Sequence, residues 1–453
     1  MTAPVDVNAL PLLKRPKIPS FLQLIWYSVS PYSFLKYYSK RFGDRFIIHL
    51  AGFGKLFILS DPKDIEAVFS GSPDVLYSGE VNQFMIDLFG PNSVILLDGQ
   101  PHRRQRKLLL PSMHGSRLDL YVQEMHQIAK ESIATWPEQK EMRVLDAMQD
   151  ITQHVILKIV FGIHDVDQYS DFNQDIRKLL QLGASPFALV APILPRKVLS
   201  LFQRWTSYIG LIQKIDSRIY AVITERRNQN KEGRDVLSIL LKAVDEKGEA
   251  MSDQEIRDEL ITMLTAGFET TAVGLSWVIE RILSNPEVLR KVVLELEQVL
   301  SKDALQSEYL QNLNYLDACI KEGLRSRTML PIVVRRVKKP FQMEGMNILA
   351  GTTLAPSVFL AHHRADSYPD PEKFISERFL NQPVNPYAWL PFGGGHRTCL
   401  GMGFALTEMK VVLATMFLEK NLTLTSKSPE RYARRGIIMA PSKGVRVIVE
   451  VKA

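Results

Sequence analysis

Between Ser252 and Pro286 the sequence allows one kind of element. Ser252-Asp253-Gln254-Glu255 has the form of a capping box, a serine N-cap with glutamate at the third position. No helix breaker follows until Ser284-Asn285-Pro286. The helix so defined has about 30 residues and is about 45 Å long at 1.5 Å per residue, beyond the ~25 at which a helix needs a special reason. Its middle is apolar nearly all round, so it belongs in the interior. That middle nevertheless carries Thr265-Ala266-Gly267-Phe268-Glu269-Thr270-Thr271. A glycine, an acid and threonines are locally unfavourable in an apolar helix, and such failures of local rules cluster at functional sites. The purely structural alternative is a packing notch at Gly267 with threonines bonded back to the helix.

A second stretch is as unusual. Phe392-Gly393-Gly394-Gly395-His396-Arg397-Thr398-Cys399-Leu400-Gly401 holds one of the chain's two cysteines. Glycines let backbone turn tightly and lie against a large ligand. A lone cysteine can be a small buried hydrophobe. A phosphate loop is the other plain reading, but G-x-x-x-x-G-K-[ST] is absent, and Leu406 stands where a dinucleotide fingerprint requires glycine. The stretch matches, without a gap, F-x-x-G-x-R-x-C-x-G. It thereby resembles the haem-ligand loop of the cytochrome P-450 family, in which a thiolate ligates iron and favours O–O cleavage.

The resemblance extends along the chain in the family's order. His102 and Arg106 are four apart on a helix read over 102–110, so they share a face. In the family such a pair binds a haem propionate. A-G-x-[DE]-T-T, here Ala266, Gly267, Glu269 and Thr270, resembles the oxygen-activating motif. The resemblance implies that Gly267 lets the helix approach the porphyrin. Thr270 would act from an opened helical ladder, and Glu269 would connect it to bulk protons. Glu322 and Arg325 are neighbours at i,i+3 and match E-x-x-R, which implies a buried pair joined by Arg378. In the P-E-R-F-like segment Ser376 replaces proline, while Glu377-Arg378-Phe379 is intact. Strand alternation lets one of Arg335 and Arg336 face the haem; the spacing favours Arg335. Phe392, Arg397, Cys399 and Gly401 complete the cofactor-binding set, with Cys399 as metal ligand; Cys319 reads as packing. Arg397, two residues before the cysteine, is the choice of the branch with long-chain fatty-acid hydroxylases.

Composition limits the remaining choices. A chain of 453 residues could hold about three domains. No linker, repeat or low-complexity tract divides it, so 1–453 is read as one domain. Two cysteines exclude a disulfide scaffold. No apolar run approaches the ~18 residues of a membrane span, and there is no signal peptide. A cytoplasmic protein is expected. The formal charge of +7 permits an acidic protein partner or peripheral contact with an anionic membrane surface. The basic run 102–107 lacks the interleaved aromatics of a nucleic-acid site.

The implied fold is mainly α, the triangular cytochrome P-450 fold. Its small β-rich lobe falls near 40–70, 332–356 and 435–453, and its helices near 100–330 and 400–420. Residues 70–98 read as a mobile connection forming a pocket wall. The proline-interrupted segment 182–195 reads as a lid, a membrane-dipping loop or core. A terminal hairpin, 435–441 with 444–449, is expected to reach the substrate. The implied activity is monooxygenation of a lipophilic small molecule (fatty acid, alkane or terpenoid) by haem b and O2. Electrons would come from a separate ferredoxin or flavodoxin with its reductase, docking near Arg103, Arg104 and Lys107. A monomer is expected. The alternatives are a haem-thiolate isomerase or dehydratase, and a haem-binding sensor without turnover.

Overall fold

The long helix anticipated from its caps organises the computed structural model. The model describes residues 14–163, 170–183, 194, 196–229, 233–300, 305–380, 383 and 385–451. Asp253–Leu283 is one unbroken α-helix of 31 residues. The Ser252 hydroxyl accepts from Glu255 N (3.2 Å), and Ser252 N donates to Glu255 Oε2 (2.8 Å). Both halves of the capping box are therefore made. Val144–Phe161, Gln203–Gln229, Asn314–Ser326 and Met402–Glu419 pack around it. Trp277, Leu264 and Leu275 are fully buried in the resulting core. Burial of that apolar stripe, more than helix propensity, is what holds such helices.

The β-structure is minor. A five-stranded sheet runs in the order Arg45–Leu50, Gly54–Leu59, Thr353–Pro356, Arg335–Val337, Leu76–Tyr77. Its first two strands form the expected hairpin, pairing Phe46 with Ile58. The C-terminal end departs from expectation. The hairpin is Tyr432–Arg435 with Ile438–Pro441, turned at Gly436 with φ +60°. Arg446–Val451 instead joins Glu141–Arg143 and Lys420–Leu424 in a separate sheet, where Val447 and Val449 are buried. Two adjacent alternating runs suggested pairing with each other; burial of those valines against remote strands decided otherwise.

The 70–98 connection is tied down at its end. Asn92 N donates to Asp258 Oδ2 (2.9 Å) and Val94 N to Glu259 Oε1 (2.7 Å), while Ser93 and Thr262 hydroxyls meet at 2.8 Å. Nearly all of 182–195 lies outside the described residues. Among the described residues, no helix is long and apolar enough to cross a membrane.

Candidate active site

The cysteine loop is shaped by its glycines and by one phenylalanine. Gly393 and Gly395 have φ of +68° and +67°, a conformation that side chains disfavour. A Cβ on Gly394 would lie 2.1 Å from Phe69 Cδ2, and one on Gly395 2.1 Å from Phe69 O. The loop can therefore lie against helix Pro62–Ser70 only as glycine. Cys399 N donates to Phe392 O at 2.9 Å, which closes the loop. The Cys399 side chain is exposed, whereas Cys319 is buried with Sγ 3.2 Å from Ser376 Oγ. Burial pushes the Cys319 thiol up to about 12. Surrounding protein also raises the Cys399 thiol, but the Gly401 N–H and the Arg106 guanidinium oppose it. One sulfur is thus a packed thiol, and the other opens to space beside a cation. Ser376, the departure from the family's proline, is the group that contacts Cys319.

The cations around the loop outnumber their counterions. His102 is 3% exposed and its pKa falls to about 3, through burial first and then Arg397, His396, Arg106 and Arg335. His396 falls to about 4, Arg335 to about 9 and Arg397 to about 10, burial leading in each case. Asp98 is the acid of this group, paired with Arg397. Its carboxylate already accepts from Ser78 N, Gly79 N and Glu80 N at 2.8–2.9 Å. Arg335 Nε, Arg397 Nε and His396 Nε2 are buried and without partners. Arg335 Nη2 donates to Gly394 O (3.2 Å), whereas Arg336 turns outward to Gly351 O. Strand alternation therefore resolves in favour of Arg335 on the loop side.

The long helix opens along one stripe. Ala266 is exposed, and Met263, Gly267 and Thr270 are half-buried, in an element whose other sides are covered. The helical ladder is closed through this region, unlike the opened ladder expected from sequence. Thr270 Oγ1 donates to Ala266 O (2.6 Å) and Thr271 Oγ1 to Gly267 O (2.8 Å). A Cβ on Gly267 would stand 2.9 Å from Ile156 Cδ1, so this glycine lets helix Val144–Phe161 pack close. Glu269 is 8% exposed. Its Oε1 accepts from Arg435 Nε (2.7 Å) and its Oε2 from Gln149 Nε2 (2.6 Å).

The E-x-x-R pair is fully buried. Arg325 Nε and Nη2 donate to Glu322 Oε2 (2.6 Å) and Oε1 (2.8 Å). Arg378 Nε approaches Glu322 Oε1 at 3.4 Å. Arg325 Nη1 also donates to His362 O (2.7 Å), and His362 Nε2 accepts from Leu390 N (2.7 Å), just ahead of Phe392. Burial holds His362 neutral, well below its ordinary pKa. His362 thus links the ion network to the cysteine loop. Neither it nor Arg435, Gln149, Asp98 and His396 was singled out from sequence. His396 lies inside the quoted motif; the others come from elements remote in sequence.

The expected docking cations are each matched within the chain. Arg103 pairs with Asp74 (3.0 Å), Arg104 with Asp245 (2.6 Å) and Lys107 with Glu246 (2.5 Å). Each therefore carries an acidic neighbour of its own at the expected docking face. A cavity of about 600 Å³ lies beside them, lined by Leu108, Arg117, Ser238 and Ile239 among others, and no candidate site residue borders it.

The family model for cytochrome P-450 matches residues 12–449. Cytochrome P-450 135B1 of Mycobacterium bovis is 36% identical over 444 residues, 98% of this chain and 92% of that protein. Cytochrome P-450 137 of Mycobacterium tuberculosis is 33% identical over 410 residues, 90% and 83% respectively. Among solved structures, cyanobacterial CYP120A1 with bound retinoic acid has a TM-score of 0.86 at 24% identity, covering 98% of this chain and 99% of that one. The cytochrome P-450DA heme domain has a TM-score of 0.85 at 21% identity, covering 97% and 98%. The chain belongs to the cytochrome P-450 family, the haem-dependent monooxygenases, and has the family's fold.

The residues fit the family's cofactor. A haem carries two carboxylates, and the buried, unpartnered Nε groups of Arg335 and Arg397 have room for acceptors beyond Asp98, which is already paired with Arg397. It also needs a thiol open to space, which Cys399 is. No protein atom lies within 4 Å of a Cβ built on Gly401, leaving room beside the ligand loop.

Proposed function

We propose that this chain hydroxylates a lipophilic small molecule, with Cys399 as the iron ligand and Thr270 and Glu269 as the proton-handling groups. Bound haem supplies binding and reductive cleavage of dioxygen, in the balance R–H plus O2, two electrons and two protons to R–OH and water. Arg106, which favours the Cys399 thiolate, would with His102, Arg335 and Arg397 hold the carboxylates of the haem. Because the Thr270 hydroxyl proton is engaged by Ala266 O, its oxygen faces the open stripe as an acceptor. It can hold a water or a polar oxygen there. Glu269 stands one residue earlier and inward, as an anchored carboxylate.

The observation that carries turnover over a passive sensor is this adjacency. The hydroxyl lies on the open stripe and the carboxylate is anchored inward by Arg435 and Gln149, an arrangement suited to relaying protons through water, which a passive sensor does not need. The test uses reductase, a ferredoxin or flavodoxin, and isotopically labelled dioxygen, with fatty acids, alkanes and terpenoids as substrates. One labelled oxygen should enter the product, dependent on the electron donor. Turnover that ignores both donor and dioxygen would overturn the reading. The carbon monoxide complex of the reduced protein should absorb near ~450 nm, and Cys399→Ala should lose that band while Cys319→Ala keeps it.

A further inference from the structure

The first helix is built inside out. Ser20–Val29 buries Gln23, whose Nε2 donates to Ile18 O (2.9 Å) and whose Oε1 accepts from His49 N (2.9 Å). Phe21, Leu22, Ile25 and Val29 are instead 55, 41, 56 and 75% exposed. Their spacing places them on one stripe of the helix. Leu24, Trp26 and Tyr27 pack the opposite side into the cluster with Phe34 and Tyr38. Tyr37, also exposed, has its ring 5.4 Å from Trp26 and widens the apolar surface.

Charge around this helix has one sign. From Lys14 to Gly43 the chain has Lys14, Arg15, Lys17, Lys36, Lys40 and Arg41, and neither Asp nor Glu. All six cations are exposed. Among the described residues only Lys36 is paired with an acid, Glu372. An exposed apolar stripe with cations ahead of and behind it suits an interface of acyl chains beneath anionic headgroups. Arg434 fixes the helix end, donating from Nε to Ser28 O (2.7 Å) and from Nη2 to Tyr27 O (2.9 Å). The next residue, Arg435, holds Glu269.

We propose that helix Ser20–Val29 docks this protein on the surface of an anionic lipid bilayer. The stripe of Phe21, Leu22, Ile25 and Val29 enters the acyl region, and Lys14, Arg15 and Lys17 face lipid phosphates. The C-terminal hairpin, and with it the oxygen-side acid, is thereby held close to the bilayer. Supply of substrate from that bilayer rests on the proposed lipophilic substrate; the docking itself does not.

The test is co-sedimentation of the haem-loaded protein with phosphatidylcholine vesicles, with and without phosphatidylglycerol. Binding should require the anionic lipid and weaken as salt shortens the reach of the charges. Phe21→Ser with Ile25→Ser should lower partitioning ~10-fold or more, since each side chain loses its transfer to an apolar phase. Lys14→Glu, Arg15→Glu and Lys17→Glu together should abolish the preference for phosphatidylglycerol. An unchanged carbon monoxide band shows that each variant is folded, whatever its turnover. Wild-type protein left in the supernatant with both vesicles would overturn the proposal, as would a serine variant that binds like wild type. A dimer that the serine variant alone loses, seen by sedimentation velocity without lipid, would assign the stripe to a second copy and overturn it too.

Discussion

Replacing Glu322 with alanine should cost more than any surface ion pair could. Both Glu322 and Arg325 are fully inaccessible. The carboxylate takes two guanidinium bonds at 2.6 and 2.8 Å, a third from Ile375 N at 3.0 Å, and lies 3.4 Å from Arg378. Its removal leaves Arg325 with the carbonyls of His362 (2.7 Å) and Lys373 (3.2 Å) and the Tyr368 ring at 4.9 Å, but no anion. Breaking a buried pair from one side costs about 3–5 kcal/mol, against a total stability of about 5–15 kcal/mol for a typical protein. The variant should melt well below wild type and hold less haem, because Arg325 and His362 connect this network to Leu390. The double variant Glu322→Ala with Arg325→Leu removes the stranded charge as well. Its loss should fall short of the sum of the two single losses, by a coupling of about 0.5–3 kcal/mol. Thermal melting and haem absorbance per protein measure both quantities. Full haem content and unchanged melting in Glu322→Ala, or strict additivity in the double variant, would refute the buried-network account.

Three other outcomes follow from the site. With Asp98 as the acid described in the cluster and haem removed, stability should fall as pH drops below about 6.5, because the unfolded chain then binds protons that His102 (about 3) and His396 (about 4) refuse. For His102 the loss near pH 5 is on the order of 2 kcal/mol; His102→Gln should flatten the melting-versus-pH curve of haem-depleted protein, and an unchanged slope would contradict the assignment. Thr270→Ala should keep the carbon monoxide band and substrate binding yet release more peroxide per electron pair, within the ~10²–10⁴-fold range of general acid–base effects. Arg435→Ala should leave the Glu269 carboxylate held by Gln149 alone and lower product formed per electron pair, and Arg435→Lys should partly restore it; wild-type coupling in both would exclude the ion pair from proton handling.

How far the chain could be read depended on how local the deciding forces were. The long helix was legible because its caps and its apolar interior are written within about 30 residues. The cysteine loop was legible because Phe392 to Gly401 match, without a gap, the family's F-x-x-G-x-R-x-C-x-G. The C-terminal pairing was not, because Val447 and Val449 are claimed by strands near 141 and 420. The same rule separates the site residues. Glu269 stood out as an acid in an apolar helix, but its counterion Arg435 lies 166 positions away and read only as part of a strand. Glu322 and Arg325 stood out at i,i+3, whereas the neutral His362 that carries their order to the loop did so only through folding. Gly267 is the instructive intermediate case. Both the packing notch and the close approach to a cofactor were readable from one glycine, and a Cβ there would stand 2.9 Å from the terminal methyl of Ile156, a contact that rotation of that side chain relieves. Substituting alanine there asks the end of the Ile156 side chain to rotate, and leaves helix Val144–Phe161 and the Gln149 anchor of Glu269 in place. Packing at this turn is therefore set by one inter-helix side-chain contact, while the place of the Glu269 carboxylate is set separately by Gln149 and Arg435, which motif matching alone does not distinguish.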